Sequence, residues 1–141
     1  MSFTEYVVMV VFDPTFQYVV GITKKKGPSF LLEKLCFPGG KVELSEEAIL
    51  AALREMHEET GLHIPLSAWR QADYFRTEDR GVATFAAVSD QFFTARTCEL
   101  EPVWQLKVDK HQRYAIERPE RYAPDFLDLL AKARAVLSEQ L

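Results

Sequence analysis

Cysteine is scarce in this chain: two in 141 residues, Cys36 and Cys98, neither at metal-ligand spacing. A disulfide-stapled secreted scaffold is thereby excluded, and free thiols in a reducing cytoplasm are expected. Long apolar runs are missing too. The N-terminal run EYVVMVVF at 5–12 is too short to cross a bilayer, and no basic residue precedes it in MSFTE. Neither a signal peptide nor a membrane partner is expected. Positive charge is in deficit, with 17 Lys and Arg against 21 Asp and Glu, net charge -4. That argues against a nucleic-acid duplex as partner, but not against a small polyanion, because bound divalent cations reverse the local sign. No repeat, low-complexity tract or linker divides the chain, so one domain over 1–141 is expected.

What is present suits an ordinary globular protein, with 48% hydrophobic and 27% charged residues. Residues 5–12 and 18–23 read as strands joined through the Asp13-Pro14-Thr15 turn, and 35–37 as a short strand. Residues 69–76 and 82–89 read as two more, the latter apolar throughout as a central strand should be. Residues 99–106 read as a loop running into a strand. After Pro124, residues 125–141 form a helix with an apolar stripe of Phe126, Leu129, Leu130, Ala133, Val136 and Leu137.

The most informative stretch is GKVELSEEAILAALREMHEETGL at 40–62. Its helix is expected to start at Ser45 as N-cap, with Glu46 and Glu47 in the first turn, and to stop at Thr60-Gly61. Ile49, Ala52, Leu53, Met56 and Thr60 should form the buried face. Glu55, Glu58 and Glu59 then share an arc roughly 100° wide, flanked by Ala48 and Ala51. Three carboxylates on one arc repel one another, so a cation should sit there. Hard oxygen ligands suit Mg²⁺, with Mn²⁺ able to substitute. In the preceding Phe37-Pro38-Gly39-Gly40, the paired glycines either bring backbone close to a metal or phosphate or form a tight turn at positive φ.

Read as spacing, the stretch is Gly40, five residues, Glu46, seven residues, Arg54-Glu55-Met56, one residue, Glu58-Glu59, one residue, Gly61-Leu62. This resembles the Nudix box, the signature of the Nudix hydrolase family. The resemblance implies an α+β fold: an α/β/α sandwich with a mixed central sheet, a loop–helix–loop site and a C-terminal helix. It also implies metal-dependent hydrolysis of a nucleoside diphosphate linked to a further group, by a monomer or homodimer. In that scheme Glu55, Glu58 and Glu59 hold the ion, with Gly39 and an acid of the 99–106 segment as further ligands. Glu99 is preferred there to Glu101. Glu55 is the chosen general base, although spacing does not order the glutamates. Arg54 holds the box glutamates in place and pairs with Glu46.

Lys24, in the basic loop Lys24-Lys25-Lys26, is a candidate phosphate contact and Gly40 a backbone one; Tyr74, Phe75 and Phe85 are candidates to stack on a base. His57 should face away from Glu55. His63 and His111 show no recognisable partner, and none of the three is given a catalytic role. Residues 77–80 contain neither proline nor tyrosine, so markers of the ADP-ribose, NADH and diadenosine polyphosphate subfamilies are missing. The chain thus looks most like the MutT-like group, whose house-cleaning members hydrolyse (deoxy)nucleoside triphosphates, oxidised ones included. The alternatives are another substrate such as ADP-ribose or a nucleotide sugar, or a catalytically silent nucleotide-sensing module.

Overall fold

The N-terminal apolar run forms the middle of the sheet. In the computed structural model, which describes residues 2–139, it is strand β1, Thr4–Phe12. One edge of β1 pairs in parallel with β6, Arg80–Val88, along its whole length. Its other edge is shared between two antiparallel partners. Strand β4, Gly39–Lys41, takes the first half (Val7↔Gly40), and β2, Tyr18–Thr23, meets the end (Phe12↔Val19). Strand β2 also carries β3, Leu35–Cys36, and β7, Val103–Lys107; β5, Arg70–Arg76, closes the far side against β6. The result is the expected mixed sheet, with seven strands.

Helices α1, Ala48–Thr60, and α3, Phe126–Ser138, cover opposite faces, giving the expected α/β/α layering. The two-residue period of β1 divides its side chains between two cores. Val7, Met9 and Val11 join Ala51, Ala52 and Met56 beneath α1, whereas Val10 and Phe12 join Phe126, Leu129 and Leu130 beneath α3. A strand buried on both faces must be apolar at nearly every position, and β1 from Val7 and β6 from Val82 are, with Thr84 the exception. Among the described residues, no helix is long and apolar enough to cross a membrane.

Three details differ from expectation. Ser45 is not the N-cap: it lies in the loop at φ 67, and α1 begins three residues later, with Glu47 in the cap position. The cause is Glu46, whose carboxylate is engaged by Arg54, while residues 43–46 close a turn through Glu46 N–H to the Glu43 carbonyl (3.0 Å). The buried face of α1 is also rotated, comprising Ala51, Ala52, Met56, Glu59 and Thr60, with Ile49 and Leu53 only partly buried. Finally, a helix α2, Val108–Glu117, follows β7. Its sequence VDKHQRYAIE buries only Val108 and Ala115, too few to write an apolar stripe. The C-terminal helix matches its expected stripe, although residues 140 and 141 lie outside the described residues.

Candidate active site

Gly61, at φ 79, ends α1 as expected, its N–H bonded to the His57 carbonyl. Beyond that cap, the carbonyls of the last turn need partners. The segment after β6 supplies them: Arg96 N–H donates to the Thr60 carbonyl (3.0 Å) and Cys98 N–H to the Glu59 carbonyl (3.2 Å). These two bonds dock residues 96–101 against the end of the helix. Glu99 and Glu101 thereby come into electrostatic reach of Glu59, and Glu99 into reach of Glu55.

The glycines of 39–40 are not a positive-φ turn. Both lie in β4, and the described positive-φ glycines are Gly27 and Gly61. A Cβ at Gly39 would stand 2.6 Å from the Val7 carbonyl oxygen, and one at Gly40 would overlap the Glu55 carboxylate. Close approach is what these positions require, and at Gly40 the approaching group is a box glutamate.

Arg54 organises the arc. Its Nε and one terminal nitrogen donate to the two Glu46 oxygens, both at 2.9 Å; the other terminal nitrogen donates to Glu55 (2.9 Å) and Glu58 (3.3 Å). The Lys41 carbonyl accepts a further bond at 3.2 Å. Only a planar fork satisfies this many oxygens from one side chain. The guanidinium beside it holds the Glu46 carboxyl down at about 2, and Arg54 itself is held more firmly protonated.

The glutamates are unequal. Glu58 is 44% exposed. Glu55 is mostly buried, and burial raises its pKa, with Glu58 and Glu99 adding to the effect against the pull of Arg54. Glu59 is only 6% exposed, and its Oε2 has no hydrogen-bond partner among the described residues. Burial, then Glu55, Glu101 and Glu99, push its pKa up to about 8, while Lys24 acts in the opposite sense. An orphaned, desolvated carboxylate oxygen within electrostatic reach of three other carboxylates is one that a hard divalent cation would satisfy. Among the described residues no three His, Cys, Asp or Glu side chains already stand grouped at metal-holding spacing. Glu55 and Glu58 turn to Arg54, whose charge they share, and Glu59 points inward.

Two expected base-stacking residues lie elsewhere. Phe85 is 5% exposed and belongs to the core beneath α1, so it offers no open ring face. Phe75 is exposed, but it shares a face of β5 with Asp73, which reaches Lys132 on α3, so it stands on the side of the sheet away from Glu55. The bulge between Gln71 and Asp73 sets that facing. Tyr74 takes the α1 side and donates its hydroxyl to Glu5 (3.1 Å). Two histidines expected to lack partners have them: His63 stacks on His57 with ring centroids 3.8 Å apart, and His111 Nδ1 lies 2.8 Å from the Tyr122 hydroxyl. Both cysteines are free, Cys36 buried and Cys98 exposed.

The acid that sequence reasoning ranked second proves the more deeply embedded. Glu99 is exposed, whereas Glu101 is 6% exposed and accepts from the backbone of Lys25 at 2.9 Å. An apolar depression lined in part by Pro14, Phe16, Val88 and Leu137 lies apart from all these carboxylates.

The NUDIX domain model matches residues 3–128. The fold is similar to that of a MutT/nudix family protein from Enterococcus faecalis, with TM-score 0.63 and 21% identity over 76% of this chain and 44% of that one. The NUDIX domain of Shewanella oneidensis NrtR, crystallised with ADP ribose, superposes with TM-score 0.76 and 18% identity over 97% and 90%. A MutT from work on Aliivibrio salmonicida and Vibrio cholerae gives TM-score 0.65 and 16% identity over 96% and 98%. The chain spans less than half the length of the Enterococcus protein. No curated protein sequence matches it.

Proposed function

The chain belongs to the Nudix hydrolase family, and we propose that it hydrolyses a phosphoanhydride bond in a nucleoside diphosphate linked to a further group. The favoured substrate is a (deoxy)nucleoside triphosphate, giving a nucleoside monophosphate and pyrophosphate. The observation that carries this reading is the buried, unpartnered Glu59 oxygen beside Glu55. Hydrolases of this family generally use divalent ions; here the ion is taken to be Mg²⁺, with Mn²⁺ as a substitute, held by Glu55, Glu58 and Glu59 with Gly39 and Glu99 as further ligands. When bound, it neutralises phosphate oxygens and lowers the pKa of the attacking water.

The remaining work falls to the chain's own groups. Arg54 keeps the arc aligned through its fork on Glu46. Glu55, desolvated against Gly40 and with its pKa raised by burial, is taken as the group that accepts the proton of the attacking water. Lys24 supplies a point charge to the phosphate chain, and the Gly40 backbone approaches it. No nucleic-acid duplex and no membrane is taken as a partner. The working context is taken as cytoplasmic, with the protein a monomer or homodimer.

The test is a panel of nucleotides with Mg²⁺ or Mn²⁺, read as phosphate released after added pyrophosphatase. Release from nucleoside triphosphates supports the reading, and silence across the panel refutes it. ADP-ribose and nucleotide sugars belong in the panel because the NrtR domain that superposes on this chain was crystallised with ADP ribose; their products are two phosphate monoesters, so for them alkaline phosphatase replaces the pyrophosphatase.

A further inference from the structure

The basic loop after β2 is held from the far end of the chain. Glu101 Oε2 accepts from Lys25 N–H at 2.9 Å and from Lys26 N–H at 3.4 Å, and the Lys24 ammonium lies 3.6 Å from the same oxygen. Pro102 adds a bond from Thr23 N–H (3.1 Å), and Trp104 Nε1 donates to Thr23 Oγ1 (2.8 Å). A buried carboxylate is retained when it is paired and hydrogen-bonded, and all three donors that satisfy this one belong to a single loop. The loop is closed on itself at its neck, with Glu33 N–H donating to the Lys24 carbonyl (2.7 Å) and Lys24 N–H to the Lys34 carbonyl (3.0 Å). Lys25 turns its ammonium to Glu33 (2.8 Å), so Lys24 is the lysine drawn inward.

The partner segment is fixed as well, because the Arg96 and Cys98 amides tie it to the last turn of α1. Glu101 therefore joins the lysine loop to the helix that carries the box glutamates. We propose that Glu101 is a positioning residue: it clasps the Lys24–Lys26 backbone so that the Lys24 ammonium faces the substrate's phosphate chain beside Glu55 and Glu59. This rests on the hydrolase reading above and adds a role for an acid that is neither metal ligand nor base. A lysine side chain carries large rotamer entropy; pinning the two amides that follow Lys24 fixes the backbone from which it projects, and the ion pair with Glu101 limits its rotamers before substrate arrives.

The test compares wild type with E101Q and E101A in the full chain. Hydrogen–deuterium exchange over residues 24–34 should rise at least tenfold in E101A while the strand β1 amides stay protected. Binding of inorganic pyrophosphate with Mg²⁺, followed by calorimetry, should weaken roughly tenfold in E101A, as expected for losing hydrogen bonds to a charged group. E101Q, which keeps an acceptor oxygen, should weaken less. On the nucleotide that the panel selects, the loss should fall mainly on KM rather than kcat, and K24M should add little to E101A. Unchanged loop exchange in E101A overturns the clasp. A loss confined to kcat, or a raised Mg²⁺ requirement with pyrophosphate binding intact, overturns the positioning role in favour of a ligand or base. Pyrophosphate binding and loop exchange are read without turnover, so a silent substrate panel would refute the hydrolase reading separately.

Discussion

The two helices that cover the sheet are each thirteen residues long and bury different chemistry. Helix α3 buries Phe126, Leu129, Leu130, Ala133 and Leu137, all apolar, over Val10 and Phe12. Helix α1 buries small Ala51 and Ala52 and the single large Met56, and with them the carboxylate of Glu59. The α3 face is built for cohesion. The α1 face gives up cohesion to hold a desolvated acid, the kind of local conflict that marks functional sites.

Substitutions on the two faces should therefore separate activity from stability. The largest effect belongs to the α1 face: Glu58→Gln is expected to lower turnover by about three orders of magnitude or more at saturating Mg²⁺, with an unchanged melting temperature because Glu58 is partly exposed. Leu130→Ala, on the α3 face, should destabilise by about 2–5 kcal/mol in denaturant titration while leaving kcat of the folded fraction near wild type.

A smaller effect should separate Glu46 from its neighbours. Its folded pKa, about 2, lies below the ordinary value of 4.5, so the Arg54 pair stabilises fully above 4.5 and fades as pH falls towards 2. Glu46→Gln should flatten that part of the acid-denaturation curve. Glu59 carries the opposite sign. With a folded pKa raised from 4.5 to about 8, it makes the metal-free protein progressively less stable as pH rises between those values, after which the penalty is constant. Melting temperatures of metal-free Glu59→Gln should accordingly fall less than wild type over that interval, and added Mg²⁺ should narrow the gap by stabilising wild type.

The same contrast explains what could be read from the letters. Strand β1 and helix α3 were legible because apolar density and a regular stripe are local signals, and Gly61 marked the end of α1 by its own stereochemistry. The Arg54–Glu46 pair was expected, but its consequence for the start of α1 was not: it holds Glu46 before the helix instead of in its first turn, so the capping preference of Ser45 is not used. Helix α2 was hidden because two buried side chains make no periodic pattern. Which of the neighbours Tyr74 and Phe75 faces α1 could not be read, because a single bulge at Gln71/Asp73 reverses the facing of every later residue in β5. Glu99 and Glu101 stand two apart in an irregular segment, and only the docking of that segment on α1 reveals which is buried.

The central claim is that the carboxylates of α1, with buried Glu59 among them, hold a divalent ion. A manganese anomalous difference map from crystals soaked in Mn²⁺ tests it most directly. The account predicts a peak at oxygen-ligand distance from Glu59 and at least one of Glu55 and Glu58, with Arg54 still on Glu46. Ordered, ion-free carboxylates at saturating Mn²⁺, with Glu55 and Glu58 still on Arg54, would contradict it.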